Sequence, residues 1–588
     1  PTVHFVERKI ALIEEGEDVK DPGGYFIVNG SERVIVGLED LTPNKVLVDK
    51  ETAGDVLTYV AKVYSSIVGY RIKLEITLKQ DGSILIKLPG CPVPLPFVVV
   101  MKALGIERDK DIAEAVSLDK DIQNLLEAAF EKASEIQTTQ EAILYIGNRA
   151  APGMMDELRI KKAEILLDWE LLPHIGRSPK DRFDKAMFLA DAVCKLLELK
   201  LGWIEPDDKD HYGNKVIKFA GEMLAELFRT AFRNLIRDMK YQLDRSTQKR
   251  SLSLIGAAIR PGIITDKLNN ALATGNWGKG KVGVTQLLDR TNYISTISHL
   301  RRIQSPLSRT QPNFEARDLH PTHFGRICPN ETPEGSNCGL VKNLALSAVI
   351  SVEVPRGEII DKLYELGVIP ITEATPELKV KGCKVFVEGR FIGFHENGEE
   401  LCMKFRALRR QGKIHPHASI SYQPVEHPRA SKRLYVGLGA GRVLRPLIVV
   451  KNGKPLLTNE MVEKVKRKEL SWEDLLKLGV IELVDANEEE NCLIALDKDS
   501  LTPKHTHLEL VPAAILGVSA SVIPYPQHNQ SPRNSYEAAM VKQAIGFPTP
   551  ILPFTLAARQ QLLVYPQKPL VTTKAVSYTH LRAHETGR

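Results

Sequence analysis

Four stretches of this 588-residue chain carry side chains whose types and spacing suit chemistry on phosphates. The first, Gly275-Asn276-Trp277-Gly278-Lys279-Gly280-Lys281-Val282, nearly fits the nucleotide-cradling pattern G-x-x-x-x-G-K-[ST]. Val282 lacks the hydroxyl that would hold magnesium, and the preceding KLNNALAT reads as helix rather than buried strand. A flexible basic loop able to touch phosphates remains. In the second, Val284 to Arg302, the residues Val284, Leu287, Leu288, Ile294, Ile297 and Leu300 can form an inner face. Gln286, Asp289, Arg290, Ser298, His299, Arg301 and Arg302 are left for the other side, where guanidiniums offer charged bidentate donors and Gln a neutral one. The same pattern also fits ordinary surface charge. In the third, Cys328 to Gly339 (CPNETPEGSNCG), two prolines and two glycines make a rigid loop that can fix Glu334 and Asn337, or a tight turn with no ligand. In the fourth, Pro526 to Gln543, a polar loop enters a helix through Arg533, suited to clamp a triphosphate, and Tyr536, suited to stack.

The second stretch and the segment that follows it lie in a locally basic region. From Lys279 to Arg326 there are eight Lys and Arg against three acids, a balance of +5 in a chain whose total is +6. A polar, basic, loop-rich segment makes a poor core and a reasonable lining for a channel that holds a polyanion. At 43% hydrophobic and 26% charged residues the chain is ordinary for a soluble protein, and its length calls for several domains. No run of eighteen apolar residues argues for a membrane span. The seven scattered cysteines suit a reducing, cytoplasmic setting, and the nine residues between Cys328 and Cys338 are wrong for a zinc knuckle. With no initiator Met and no secretory signal, the start reads as truncated.

The elements that must position these stretches are mixed. Tyr25–Val28 and Arg33–Val36 flank Asn29-Gly30 as a hairpin, and RIKLEITL and ILIKLPG read as strands joined by Gln80-Asp81-Gly82. From about residue 95 helical spacing takes over, as in AAFEKASEIQ and FDKAMFLADAVCKLLELKLG. Asp207 to Lys215 reads as a solvated turn rather than a metal loop. A helix over about 219–243 places Arg229, Arg233, Arg237 and Lys240 on one face, either solvated or a basic ridge toward DNA. Short strands return over 355–450, residues 456–485 read as helical, and Ala486 to Asn491 (ANEEEN) as an acidic surface loop. His505 and His507 read as structural.

HPTHFGRICPNETPEGSNCGLVKNLAL resembles the signature of the second-largest subunit of multisubunit DNA-dependent RNA polymerases. ALATGNWG, SHLRR, DPGGYFIVNGSERV, HNQSPRNSYEAAMVKQA and YPQKPL resemble the same family, in its order, and LSRTQPNFEARDLH looks like the archaeal branch. The likeness runs from about residue 1 to 574. It implies a mixed α+β multidomain fragment: protrusion (1–50, then 229–275), lobe (51–228), fork (276–355), external domains (356–517) and the start of the hybrid-binding domain (518–575). Residues 576–588 resemble a translated sequencing adapter and would then be an artefact.

The resemblance further implies template-directed RNA synthesis from nucleoside triphosphates. Gln286, Arg301 and Arg302 match positions along the RNA–DNA hybrid. Glu334, Asn337, Arg533, Tyr536 and Lys542 match positions beside the incoming nucleotide. Mg2+ would be held mainly by the largest subunit, an absent partner, with smaller assembly subunits, template DNA and transcript completing the enzyme. The fragment carries no catalytic carboxylates and no zinc site, so it would not be active alone. The alternative is a free-standing nucleic-acid-binding module without a catalytic partner.

Overall fold

A computed structural model of the chain describes residues 11, 13, 14, 16, 18 and 20–545, other than 54, 55, 68, 69, 249–258 and 279. The expectations for the first ten residues, for YPQKPL and for 576–588 lie outside the described residues.

The expected hairpin is present: β1 (Phe26–Val28) pairs antiparallel with β2 (Ser31–Ile35). Asn29 and Gly30 between them have φ of 51° and 75°, the left-handed pair that matches the twist of a two-residue hairpin. The chain then continues into β3 (Gly37–Leu41), and these two consecutive strands become the anchor for the later motifs. β10 (Thr285–Leu287) hydrogen-bonds to β2. β11 (Arg302–Gln304) runs parallel to β3, which pairs on its other edge with β9 (Lys215–Lys218). β12 (Val341–Asn343) closes that sheet beside β11. The stretch from 285 to 304 therefore leaves one strand of the N-terminal unit and returns to the next.

Between them lies a separate meander, β4 (Val46–Ala53), β5 (Val56–Ile67), β6 (Tyr70–Leu78), β7 (Ile84–Lys87) and β8 (Leu95–Pro96), all antiparallel. Helices from Phe97 onward pack on it, and α1 (Arg182–Leu201) runs through the shared core. α1 is buried continuously from Lys185 to Leu199, which its apolar residues explain and its charged ones do not. Those charges are all matched. Lys185 donates to the carbonyls of Leu167 and Asp168, and Lys195 to Asp207. Asp191 accepts from Lys384 at 2.7 Å and Arg433 at 3.2 Å, and Glu198 from Arg433 at 2.8 Å. Lys384 and Arg433 belong to a five-stranded sheet over 369–437, so these pairs join two units. α1 ends on Gly202 at φ 75°, as its sequence suggests.

Several expectations are corrected here. The polar turn at 207–215 is not simply solvated: Asp207 is committed to buried Lys195, Asp208 to His320 and Asp210 to Lys215. AAFEKASEIQ is helical only to Glu131. Residues 481–484 form a strand, paired with Val443–Lys451, rather than continuing the helices before them. ANEEEN is not a surface loop. It contains the short helix α6 (Ala486–Glu489), whose Glu488 is buried and accepts from Arg409 at 2.6 and 2.9 Å and from Arg406 at 2.9 Å. Arg406 and Arg409 lie on α5 (Gly398–Arg410), and neighbouring Glu489 takes Arg326 and Arg445. Of the His pair, His507 is buried against Glu482 at 2.9 Å.

Asp191 gives a pH-linked prediction. Burial alone would raise its pKa, but Arg433 and Lys384 hold it well below the usual carboxylate range. A depressed folded pKa contributes stability that is fully present above the unfolded value near 4 and is lost as pH falls below it. Asp191→Asn should therefore cost about 3–5 kcal/mol at pH 7 by urea unfolding, and its deficit relative to the parent should shrink toward pH 3. A deficit independent of pH would contradict the pairing.

Candidate nucleic-acid and nucleotide site

The described residues of the basic loop at 275–283 are held by contacts within the protein itself. Gly275 caps α3 (Gly262–Thr274) at φ 75°, and a Cβ there would sit 2.5 Å from the Thr285 carbonyl oxygen. Trp277 donates its indole N–H to Thr285 Oγ1 at 2.8 Å, and Lys281 is paired with Glu226 of the long helix α2 (Ala220–Gln248) at 2.7 Å. The helix before the loop, read from KLNNALAT, is present.

Next, α4 (Tyr293–Leu300) reverses the expected amphipathicity. Its buried residues are Ser295, Thr296, Ser298 and His299, whereas Ile294, Ile297 and Leu300 are half-buried and Leu287 is exposed. The polar face turns inward because it has partners there. Asp289 N–H donates to His299 Nδ1 at 3.1 Å, so Nε2 carries the proton and donates to Gln286 Oε1 at 3.0 Å. The Gln286 amide nitrogen then donates to the Gly283 carbonyl at 3.1 Å. Burial, reinforced by Arg302, lowers the His299 pKa to about 4 and keeps the ring neutral. Gln286 is thus oriented before any ligand arrives.

At the start of α4, Asn292 has two roles that its sequence position did not announce. Its Oδ1 caps Ser295 N–H at 2.7 Å, and its Nδ2 donates at 2.8 Å to the carbonyls of both Val541 and Ala544. Those carbonyls end α7 (Ser531–Val541), so the fourth stretch is held directly against the second.

Glu331 is the centre of the cluster, although Glu334 and Asn337 are the residues its loop suggested. Glu331 is only 1% exposed. Its Oε1 accepts from Ser298 Oγ at 2.5 Å and from Lys542 Nζ at 3.2 Å, joining the loop to α4 and to the end of α7. Its Oε2 has no partner among the described residues. Gly517 lies so close that a Cβ there would fall 2.4 Å from this oxygen. The only sequence signal for Glu331 was its place between two prolines.

The third stretch is rigid as expected. Thr332 Oγ1 accepts from Gly339 N–H at 2.9 Å and donates to the Val341 carbonyl at 3.0 Å. Arg317 donates at 2.8 Å to the carbonyls of Ser336 and Cys338. Glu334 stays exposed, and Asn337 Oδ1 is buried without a partner among the described residues. Arg533 is exposed on the first turn of α7, its guanidinium 5.7 Å from the Tyr536 ring, while Ser531 donates to Asn330 at 3.4 Å.

The cations divide into two groups. Lys281, Arg290 and Arg326 are paired with Glu226, with Glu32 and Asp21, and with Glu489. Arg301 donates only to the Ala345 carbonyl and keeps a buried Nε unpartnered, and the Arg302 side chain has no hydrogen bond or ion pair among the described residues. Burial lowers the pKa of both, with Glu331 opposing it. Partly desolvated guanidiniums with open donors are suited to phosphate. Among the described residues no three His, Cys, Asp or Glu side chains are grouped to hold a metal ion, and Glu331 is engaged by Lys542 and Ser298, so these residues do not fit a magnesium site.

Five family models match the chain in order: RNA polymerase Rpb2 domain 2 (residues 42–218), domain 3 (286–350), domain 4 (385–451), domain 5 (472–514) and domain 6 (519–588). The subunit Rpo2 of DNA-directed RNA polymerase from Saccharolobus shibatae is 49% identical over 581 residues, covering 97% of this chain and 51% of the relative. That of Sulfolobus acidocaldarius is 50% identical over 573 residues, covering 96% and 50%. RNA polymerase II subunit RPB2 of Encephalitozoon cuniculi is 38% identical over 600 residues, covering 98% and 52%. The chain spans about half the length of the curated relatives it matches.

Asn292→Ala would remove the side-chain donor shared by the Val541 and Ala544 carbonyls, leaving Val541 only the Ala544 N–H, a loss of about 1–3 kcal/mol. Hydrogen–deuterium exchange should then accelerate together in 293–300 and 531–541. Acceleration in only one of the two segments would show that Asn292 does not couple them.

Proposed function

The chain belongs to the Rpb2 family of second-largest subunits of multisubunit DNA-directed RNA polymerases, on its archaeal side, and from that membership we propose that it lines the RNA–DNA hybrid and the nucleotide site of such an enzyme. The observation that carries this reading is the convergence of the second, third and fourth stretches: Ser298 and Lys542 meet on Glu331, and Asn292 ties the second stretch to the end of α7. On this reading Gln286, Arg301 and Arg302 meet the hybrid. Arg301 and Arg302 supply the open donors for backbone phosphates, and Gln286 offers an amide already oriented by neutral His299. Arg533 reaches the triphosphate of the incoming nucleotide with Tyr536 beside it, and Lys542, Glu334 and Asn337 flank the same place.

The reaction would be template-directed nucleotidyl transfer, with the RNA 3′-hydroxyl attacking the α-phosphate. When bound, Mg2+ supplies charge stabilisation to the attacking and leaving oxygens, and the largest subunit is the proposed holder of it. This chain's part is orientation: a braced loop, an oriented amide and unpaired guanidiniums that need little rearrangement when a polyanion arrives. The largest subunit, smaller assembly subunits, template DNA and transcript are the partners this reading requires. The same reading assigns protrusion to 1–50 and 229–275, lobe to 51–228, fork to 276–355, external domains to 356–517 and the start of the hybrid-binding domain to 518–575. No described helix is long and apolar enough to cross a membrane, and a cytoplasmic setting is part of the proposal. No observation favours a free-standing module.

In a complete reconstituted polymerase, Arg533→Ala should lower kcat/KM for nucleotide addition by about 10- to 150-fold, the loss of a charged hydrogen bond of about 1.5–3 kcal/mol. Assembly should be unchanged. Wild-type elongation kinetics in this variant would remove Arg533 from the site.

A further inference from the structure

α2 presents a long face that the described residues leave uncovered. Its inner side, Met223 and Leu227, is buried in a core with Ile35, Ala271 and Trp277. Further round the helix, Phe228, Phe232 and Ile236 are 47%, 44% and 46% exposed, and the two Phe rings stack with centroids 5.9 Å apart. Positions four apart share a face, so these three form one apolar stripe.

A basic ridge runs alongside the stripe. Arg229, Arg233, Arg237 and Lys240 are exposed and recur at intervals of four, four and three. Arg233 lies over the Tyr70 ring at 5.6 Å, while Arg229, Arg237 and Lys240 have no ion-pair partner among the described residues. Of the carboxylates on the same helix, Glu226 is engaged with Lys218 and Lys281 and Asp238 with Arg260, and exposed Asp244 lies one turn beyond Lys240.

Stripe and ridge together select among occupants. A nucleic-acid backbone would neutralise the ridge but leave two phenylalanines and an isoleucine facing water. An apolar surface alone would cover the stripe and strand the cations. A helix with an apolar side and carboxylates along one flank satisfies both at once. We propose that this face of α2 docks an acidic amphipathic helix of a partner protein. The partner's apolar side would lie on Phe228, Phe232 and Ile236 and its carboxylates over Arg229, Arg237 and Lys240. The contact from Phe228 to Lys240 spans about 18 Å, a little over three helical turns. This surface is separate from the site around Glu331 and does not depend on the role proposed for it.

The probe is a fluorescein-labelled synthetic helix of about 18 residues, with Leu on one side and Glu along one flank, titrated against the chain by fluorescence anisotropy. The expected result is saturable binding that weakens at least about tenfold in the double variant Phe232→Ser, Ile236→Ser. Arg237→Glu with Lys240→Glu should weaken it similarly, and a peptide with Lys in place of Glu should restore binding to that charge-reversed chain. All four positions are exposed, and unchanged circular dichroism and melting temperature confirm that the variants fold. Duplex and single-stranded DNA of about 20 nucleotides serve as the competing occupants. No binding of the peptide to the parent chain overturns the proposal. So does peptide binding indifferent to both double variants. DNA binding that falls in the Phe232→Ser, Ile236→Ser variant while peptide binding does not would give the face to nucleic acid instead.

Discussion

A charge taken out of water must meet its opposite, and in this chain the opposite usually comes from a different unit. Glu39 on β3 is buried against Lys342, 303 residues away, at 3.0 and 3.2 Å, with Lys215 and the Tyr212 hydroxyl completing the cluster. Burial alone would raise the Glu39 pKa, but Lys342 and Lys215 carry it below the usual range, so the group stays ionised inside the fold. Arg433 and Lys384 reach across to Asp191 and Glu198 in the same way, and Glu489 gathers Arg326 and Arg445. Leaving one member of such a cluster unpaired costs several kcal/mol, so each pair specifies which segments meet as well as helping to hold them.

That constraint explains what could and could not be read from the chain in order. Local signals were legible because they act over a few residues. The Asn29-Gly30 turn, the glycine that ends α1 and the braced loop at 328–339 follow from backbone preferences. Features decided by a distant partner were not. ANEEEN reads as surface until Arg406 and Arg409, some eighty residues earlier, are known to lie over Glu488. The inward face of α4 is polar because Gln286, Asp289 and Glu331 wait there, and hydrophobic periodicity cannot report a buried polar network. The burial of Glu331 was not legible for the same reason. Spacing marks a loop as rigid without saying which of its carboxylates turns inward.

Pairing also changes the meaning of the local +5 balance between Lys279 and Arg326. Net charge along a sequence counts Arg290 and Arg326 equally with Arg301 and Arg302. In three dimensions Arg290 is closed by Glu32 and Asp21, and Arg326 is wholly buried with Glu489. The field available to a polyanion comes from the smaller set whose donors stay open. Elsewhere the fold supplies an acid for nearly every buried base, whereas these two half-buried arginines stand beside one another with open donors.

Glu331 sets the sign of that opening. Among Arg301, Arg302 and Lys542, Glu331 accepts a hydrogen bond from Lys542, and Asp289 adds a second negative charge near Arg302. The field of Glu331 still reaches both arginines, opposing the desolvation that lowers their pKa. Beside this carboxylate Arg302 keeps its donors free and Arg301 keeps its Nε free. Replacing Glu331 with a hydrophobic residue would remove the partner that holds Lys542 and would leave three like charges to repel across a partly dry space. A further carboxylate in the same place would weaken the attraction for phosphate. With three bases against Glu331 and the half-buried Asp289, the cluster stays short of negative charge.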